Sequence, residues 1–255
     1  MQDSSKVPNV LQRALGVMSG RKLRRYTGSD VSSIQRKVAD YYNSTSYEAY
    51  SSHLGGMNLW PDTSRRRLFI PLCESAGDIL DFGCGAGGLA VALAENFPAK
   101  RIHAIDIGSN AGALIAQRKA PVQFHRASVL AAPFPDASMD LVISRFVIEH
   151  TIYPEKLLSE AWRILRPGGT LYLLYPQLLL KVTLVTALRE ALMWVVRPGG
   201  ITYLDPQINE TTSDTDDQDA VWLANPVAIS RLLRKQDFKI VANVPTESLV
   251  VAGRK

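Results

Sequence analysis

The 255-residue sequence predicts an α/β protein: one domain on a mostly parallel sheet, preceded by a helical prelude. Three observations predict it. The strand-like Asp78-Ile79-Leu80-Asp81-Phe82 passes through Gly83-Cys84-Gly85-Ala86-Gly87-Gly88 into the helix-like Leu89-Ala90-Val91-Ala92-Leu93-Ala94. Strand-like and helix-like segments then alternate as far as Tyr175, which requires right-handed crossovers and parallel strands. After one more helix, two short strand-like runs close the sequence, the pattern of a hairpin on a sheet edge.

Taken in order, Val10, Leu11, Leu15 and Val17 suggest a short helix ended near Gly20. The next helix is expected from about Ser29 to Asn43, capped by Ser29 or Asp30, with Val31, Ile34, Val38 and Tyr41 or Tyr42 at helical spacing. Tyr41, Tyr42, Tyr47, Tyr50, His53 and Trp60 follow closely, either a satellite apolar cluster or a lid over a ligand. Arg65 to Glu74 reads as the helix leading into the first strand. Beyond the glycine corner come a strand at Arg101–Asp106, a helix at Asn110–Lys119, and strands at Val122–Arg126 and Met139–Ser144. A helix at Pro154–Leu165 and a strand at Thr170–Tyr175 complete the alternation. Pro176 to Asn225 interrupts it. There Leu178–Val196 reads as an amphipathic helix whose Lys181, Arg189 and Glu190 are too many charges for a membrane span, and 205–219 holds six acidic residues and no basic one. Pro226–Lys235 resumes as a helix with Asn225 as N-cap, followed by strands at Phe238–Val244 and Ser248–Ala252.

Composition is that of an ordinary globular protein, 46% hydrophobic and 21% charged, with a net charge of +5. Its placement matters more: residues 1–67 carry +6 and the remainder −1, so the basic character belongs to the prelude. Such clusters as Arg65-Arg66-Arg67 are solvated faces or contacts with an anionic lipid surface or acidic substrate. Cys73 and Cys84 offer no disulfide framework, the polar Met1–Lys6 is not followed by a signal-peptide core, and a reducing, cytoplasmic setting is expected.

The glycine corner carries the chemistry. In a parallel sheet, ligands bind beyond the carboxyl ends of the strands, which directs attention to Gly83–Gly88, Asp106–Gly108, Ser128 and Val129, and Ser144–His150. Glycines there supply positive φ and let the backbone approach a ligand. Gly83, Gly85 and Gly88 also fit a dinucleotide fingerprint, with Asp106 placed for a ribose. Asp81 argues for a different ligand: directly before the corner, its carboxylate would repel a pyrophosphate but suit an ammonium and a sulfonium, as in S-adenosylmethionine.

The chain resembles the class I S-adenosylmethionine-dependent methyltransferases, within them the type 11 group that includes quinone-biosynthesis C-methyltransferases. Four segments carry the likeness over roughly residues 70 to 255: Ile79–Gly87, Ile105-Asp106, Ala132–Val142, and Arg163-Ile164-Leu165-Arg166-Pro167-Gly168-Gly169. The resemblance implies a Rossmann-like, seven-stranded, mostly parallel sheet with an antiparallel C-terminal hairpin. It suggests residues 1–68 as an N-terminal helical lid and 69–255 as the methyltransferase domain, with 176–224 a cap insertion after the fifth strand. S-adenosylmethionine is the implied cofactor. By resemblance Gly83 and Gly85 meet its methionine part, Asp81 helps place its amino group, Asp106 accepts from both ribose hydroxyls and Ile107 lies on the adenine. Cys84, as a small residue of the corner, and Ser144 belong to the same cofactor-contacting set. Ser128 stands where the family usually has an acidic residue for the adenine amino group, which implies looser recognition there, with the Val129 amide still available.

For the acceptor side, Glu149-His150 matches a common family element: His150 as base, or both orienting the acceptor, or both bracing a helix start. Arg145 would pair with an acidic substrate or point to solvent, while His103 and His125 read as core residues. No metal site is expected. The resemblance implies methyl transfer to a small, hydrophobic or lipid-like acceptor, at oxygen or carbon; a non-catalytic S-adenosylmethionine-binding partner is the alternative. Nucleic acid is not expected, since the fourth strand's end lacks the Asn/Asp-Pro-Pro-aromatic signature of base methyltransferases. Peripheral membrane contact through 178–196 stays open, as does the oligomeric state.

Overall fold

The computed structural model describes residues 28–42, 63–175, 201–203, 222–224, 226–244 and 249–255. Ile79, Leu80 and Phe82 give β1 (Asp78–Phe82) a nearly unbroken apolar run, as a strand covered on both faces must have, and all five of its residues are buried. It lies near the middle of a seven-stranded sheet ordered β3-β2-β1-β4-β5-β9-β8. Here β2 is Arg101–Asp106, β3 Val122–Arg126, β4 Met139–Arg145 and β5 Leu165–Leu174, while β8 is Phe238–Val244 and β9 Leu249–Arg254. The first five run parallel, β9 enters antiparallel beside β5, and β8 pairs antiparallel with β9 at the edge. The expected sheet and its closing hairpin are both present.

Two apolar layers follow from the period-two alternation of the strands. Leu80, Phe82, Ile105, Val142, Leu171 and Leu173 face one layer, against α5 (Pro154–Ile164) and α6 (Pro226–Lys235). Ile34 and Val38 of α1 (Gly28–Tyr42), four residues apart on one helical face, join that same layer. Ile79, Ile102, Leu141, Ile143 and Tyr172 face the other layer, against α2 (Thr63–Ser75), α3 (Gly88–Asn96) and α4 (Asn110–Arg118). There the Phe69 ring meets Tyr172 edge-on at 5.1 Å.

The amino end of the sheet is held by ion pairs. Asp140 Oδ2 accepts from the Gly77 and Asp78 amides at 2.9 Å each, and Arg166 reaches Asp140 Oδ1 at 2.6 Å and Asp78 Oδ2 at 2.9 Å. Arg101 Nη2 donates to Asp78 Oδ2 at 2.6 Å. That hydrogen bond from Arg101, helped by Arg166, holds the Asp78 carboxyl down at about 2.

Several boundaries differ from the sequence expectation. Helix α1 starts at Gly28, which places Ser29 and Asp30 inside its first turn instead of at the cap. Strand β5 begins at Leu165, not Thr170: Met139 pairs with Leu165 and Leu141 with Thr170, so Arg166-Pro167-Gly168-Gly169 forms a bulge against a single residue of β4. Gly168 takes φ 81 there. Strands β6 (Ile201–Tyr203) and β7 (Trp222–Ala224) pair in a separate small sheet that the sequence did not suggest. The expected helices near residues 10–20 and 178–196, the acidic 205–219, the Asn225 cap, and Tyr47, Tyr50, His53 and Trp60 lie outside the described residues.

Candidate active site

Between β1 and β4 the strand order changes direction, and the carboxyl ends of these neighbours form the crevice where such sheets bind ligands. The glycine corner occupies one wall. The Gly83 and Cys84 amides both donate to the Ile105 carbonyl at 3.0 Å, and the Gly87 amide donates to the Cys84 carbonyl at 2.8 Å. Gly83, Gly85 and Gly87 take φ of 87°, 54° and 82°, a region that disfavours any residue with a Cβ.

At Gly83 a second reason applies beside the positive φ, and it comes from a neighbouring side chain. A Cβ built there would lie 2.5 Å from Val147 Cγ2 and 2.6 Å from Cγ1, so the segment after β4 packs directly on the corner.

Asp106 ties the corner together from β2. Its Oδ2 accepts from the Gly85 amide and its Oδ1 from the Gly108 amide, both at 2.8 Å. Burial pushes its carboxyl above the usual carboxylate range, against the pull of those amides. Each oxygen keeps lone-pair capacity beyond one amide. Ile107, next in sequence, is half-buried.

Asp81 is 3% exposed, and its Oδ2 has no hydrogen-bond partner in the structure. Desolvation pushes its carboxyl up to about 7; Arg145 and the Ala90 amide of α3 pull it down, and Asp106 adds to the rise. The carboxylate expected to stand ionised beside the corner is therefore balanced between its two states near neutrality. Cys84 is buried in the second apolar layer, and desolvation with the neighbouring Asp81 and Asp106 holds its thiol far up, consistent with a packing role.

Ser128 and Val129 follow β3. The Ser128 hydroxyl accepts from the Leu130 amide at 3.1 Å, closing its own turn, and Val129 is buried in the first apolar layer. Ser144 on β4 is fully buried, with an Oγ that lacks a hydrogen-bond partner in the structure. It lies next along the strand to Ile143, the register partner of Asp81.

A 3₁₀ turn at Ile148–His150 follows β4. Glu149 is 1% exposed, His150 Nε2 lies 3.6 Å from Glu149 Oε1, and the Tyr42 ring of α1 meets the imidazole edge-on at 5.6 Å. Helix α5 starts only at Pro154, so this pair stands in its own turn before that helix. The His103 and His125 rings stack at 6.4 Å with Phe134 edge-on to both. Among the described residues no group of His, Cys, Asp and Glu is arranged to hold a metal ion. None of their helices is long and apolar enough to cross a membrane.

Three residues are marked in the sequence only by their neighbourhood, Tyr42 within the aromatic run and Phe146 and Val147 within the stretch Ser144–His150. Val147 and Tyr42 act through contacts that only the fold creates, one on Gly83 and one on His150. Phe146 is distinguished by φ 52, a left-handed conformation that costs an L-residue about 1–2 kcal/mol.

Residues 80–173 match a family model described as a methyltransferase domain. Over that stretch the chain is similar to the family's domain. The matched stretch runs from β1 to β5 and includes the glycine corner, Asp106 and the Glu149-His150 turn. A demethylmenaquinone methyltransferase of Thermus thermophilus is 37% identical over 43% of this chain and 52% of its own length. A malonyl-[acyl-carrier protein] O-methyltransferase of Serratia marcescens is 28% identical over 48% of each. The chain spans about half the length of these curated relatives or less. The likeness in fold extends further: a Burkholderia thailandensis 1,6-didemethyltoxoflavin-N1-methyltransferase structure, with S-adenosylhomocysteine bound, aligns over 94% of this chain and 97% of its own. Its TM-score is 0.54 at 16% identity.

Proposed function

We propose that the protein transfers the methyl group of S-adenosylmethionine to oxygen or carbon of a small, apolar acceptor. The observation that carries the donor assignment is Asp81, whose buried Oδ2 lacks a partner beside a corner of positive-φ glycines. A buried acceptor atom with no donor is costly, and a cationic ligand group would satisfy it. In this reading Asp81 takes the donor's amino group, the Gly83–Gly85 backbone takes its methionine part, and Asp106 uses its remaining lone pairs for the ribose. Ile107 and Val129 flank the adenine.

When bound, the donor supplies an electrophilic methyl group, and the chain's part is mainly to hold a nucleophile in line with it. His150 removes the acceptor's proton in this reading, while Glu149 at 3.6 Å favours the charged imidazolium that results. Tyr42 restricts the ring from the α1 side, giving the prelude helix the role of a lid. Support for an apolar acceptor comes from relatives whose names specify a demethylmenaquinone and a polyprenyl benzoquinol.

The test is incubation with methyl-labelled S-adenosylmethionine and an extract of small molecules, followed by mass spectrometry. Labelled product together with S-adenosylhomocysteine is expected. Donor binding without S-adenosylhomocysteine across a broad acceptor panel would instead identify a non-catalytic binding module.

A further inference from the structure

Between β3 and β4 the chain runs without helix or strand over residues 127–138. The near end of this loop is tied to the two residues that take the ribose and flank the adenine in the methyltransferase reading. The Ala127 amide donates to the Asp106 carbonyl at 2.9 Å, and Arg126 Nε, at the end of β3, donates to the Ile107 carbonyl at 3.1 Å. Ser128 and Val129 come next, and the Ser128 carbonyl accepts from the Ala131 amide at 3.1 Å.

The far end is held by two side chains of α5. Glu160 and Arg163, one turn apart, form a bidentate pair: Arg163 Nε donates to Glu160 Oε1 at 3.1 Å and Nη2 to Oε2 at 2.9 Å. The pair also grips the backbone of the loop. Glu160 Oε2 accepts from the Ala132 amide at 3.1 Å, Arg163 Nη2 donates to the Ala132 carbonyl at 3.0 Å, and Arg163 Nη1 donates to the Phe134 carbonyl at 2.8 Å. Both backbone groups of Ala132 are thus taken by one helix. Anchoring the loop on the sheet would need only the apolar burial that Ala132 and Phe134 already have in the first layer; the added bonds fix the path of its backbone.

We propose that Glu160 and Arg163 are positioning residues for the methyl donor, fixing the loop backbone at Ala132 and Phe134 so that Ser128 and Val129 are held against the adenine. The inference rests on the methyltransferase reading and adds to it a pair that acts without touching the ligand. Its physical basis is population. A loop correctly placed about one-fifth of the time weakens its ligand about fivefold. Lysine cannot replace Arg163, because a point charge does not hold the several acceptors that the planar guanidinium spans.

The experiment is calorimetric titration of S-adenosylhomocysteine, and separately of adenosine, onto the whole protein and its Arg163→Lys, Glu160→Ala and Asp140→Asn variants. Amide hydrogen exchange of residues 127–136, read by mass spectrometry, accompanies it. In Arg163→Lys both ligands should bind about fivefold more weakly, and the loop should exchange faster than in wild type until S-adenosylhomocysteine is added. Glu160→Ala should shift both readouts in the same direction. Asp140→Asn, which loosens the opposite end of the sheet, should lower the Tm and leave both affinities alone, as a purely structural loss does. Wild-type affinity for S-adenosylhomocysteine in Arg163→Lys and Glu160→Ala overturns the proposal. So does a loss confined to S-adenosylhomocysteine with adenosine unaffected, because the loop would then act on the methionine part. If Arg163→Lys fails to fold, Glu160→Ala decides alone. If wild type binds neither ligand, the methyltransferase reading falls and the positioning role with it, whereas unchanged affinities in the variants remove the positioning role alone.

Discussion

With the Asp81 carboxyl raised to about 7, donor binding and proton release should be coupled. A cationic group brought to the corner stabilises the ionised carboxylate, so below pH 7 the donor must displace a proton. If the bound carboxyl titrates well below 6, only about one site in ten is ready at pH 6 and about nine in ten at pH 8. Affinity should therefore fall about tenfold from pH 8 to pH 6, roughly 1.4 kcal/mol. Calorimetry at both pH values, in buffers of different ionisation enthalpy, reads the affinity and the proton released at pH 6. Asp81→Asn should bind more weakly at pH 8 and lose the dependence. The donor-free protein should respond oppositely: Asp81 has a folded-state value above its unfolded one, so its ionisation opposes folding increasingly from about pH 4 to 7. Without donor, Asp81→Asn should then be more stable than wild type at pH 8. Equal donor affinity at pH 6 and 8 in wild type, or an unchanged slope in Asp81→Asn, would refute the reasoning.

Three other perturbations test the surrounding structure. Gly83→Ala meets both the positive φ and the Val147 methyls; it should cost more than the ~1–2 kcal/mol of backbone strain alone, with Val147→Ala in the same chain recovering only the steric part, as denaturant melts of the double-mutant cycle would show. Asp140→Asn removes a charge that accepts two amides and pairs with Arg166, and should lower stability by about 1–3 kcal/mol in urea melts without changing donor affinity in the folded protein. Ser128→Asp should tighten donor binding severalfold, since one carboxylate oxygen can keep the Leu130 amide while the other accepts from adenine; an unchanged or weaker calorimetric affinity would count against that placement.

Much of the fold was legible because local pattern and long-range packing agree. Arg101–Asp106 and Val122–Arg126 were delimited as observed, since apolar residues and turn signals bound them closely. The β5 bulge was not, because Pro167, Gly168 and Gly169 read as an ordinary turn until β4 is laid beside them. At the site, glycines and carboxylates were visible as residue types. Their states were not: the partnerless oxygen of Asp81 and the Asp106 bonds to two turns depend on what folding places nearby. Gly83 shows the difference most clearly, its need for glycine arising from Val147, 64 positions further on, as well as from the turn.

The contrast between the two ends of β1 bears on how this protein can evolve. At Asp78 a carboxylate is surrounded by guanidinium groups, so a neutral replacement there weakens the scaffold. At Asp81, three residues along, the neutral replacement should yield a sturdier protein with a poorer grip on its ligand. Selection for thermal robustness alone would thus erode the crevice first, while the clamp at the opposite end absorbs the cost of keeping it.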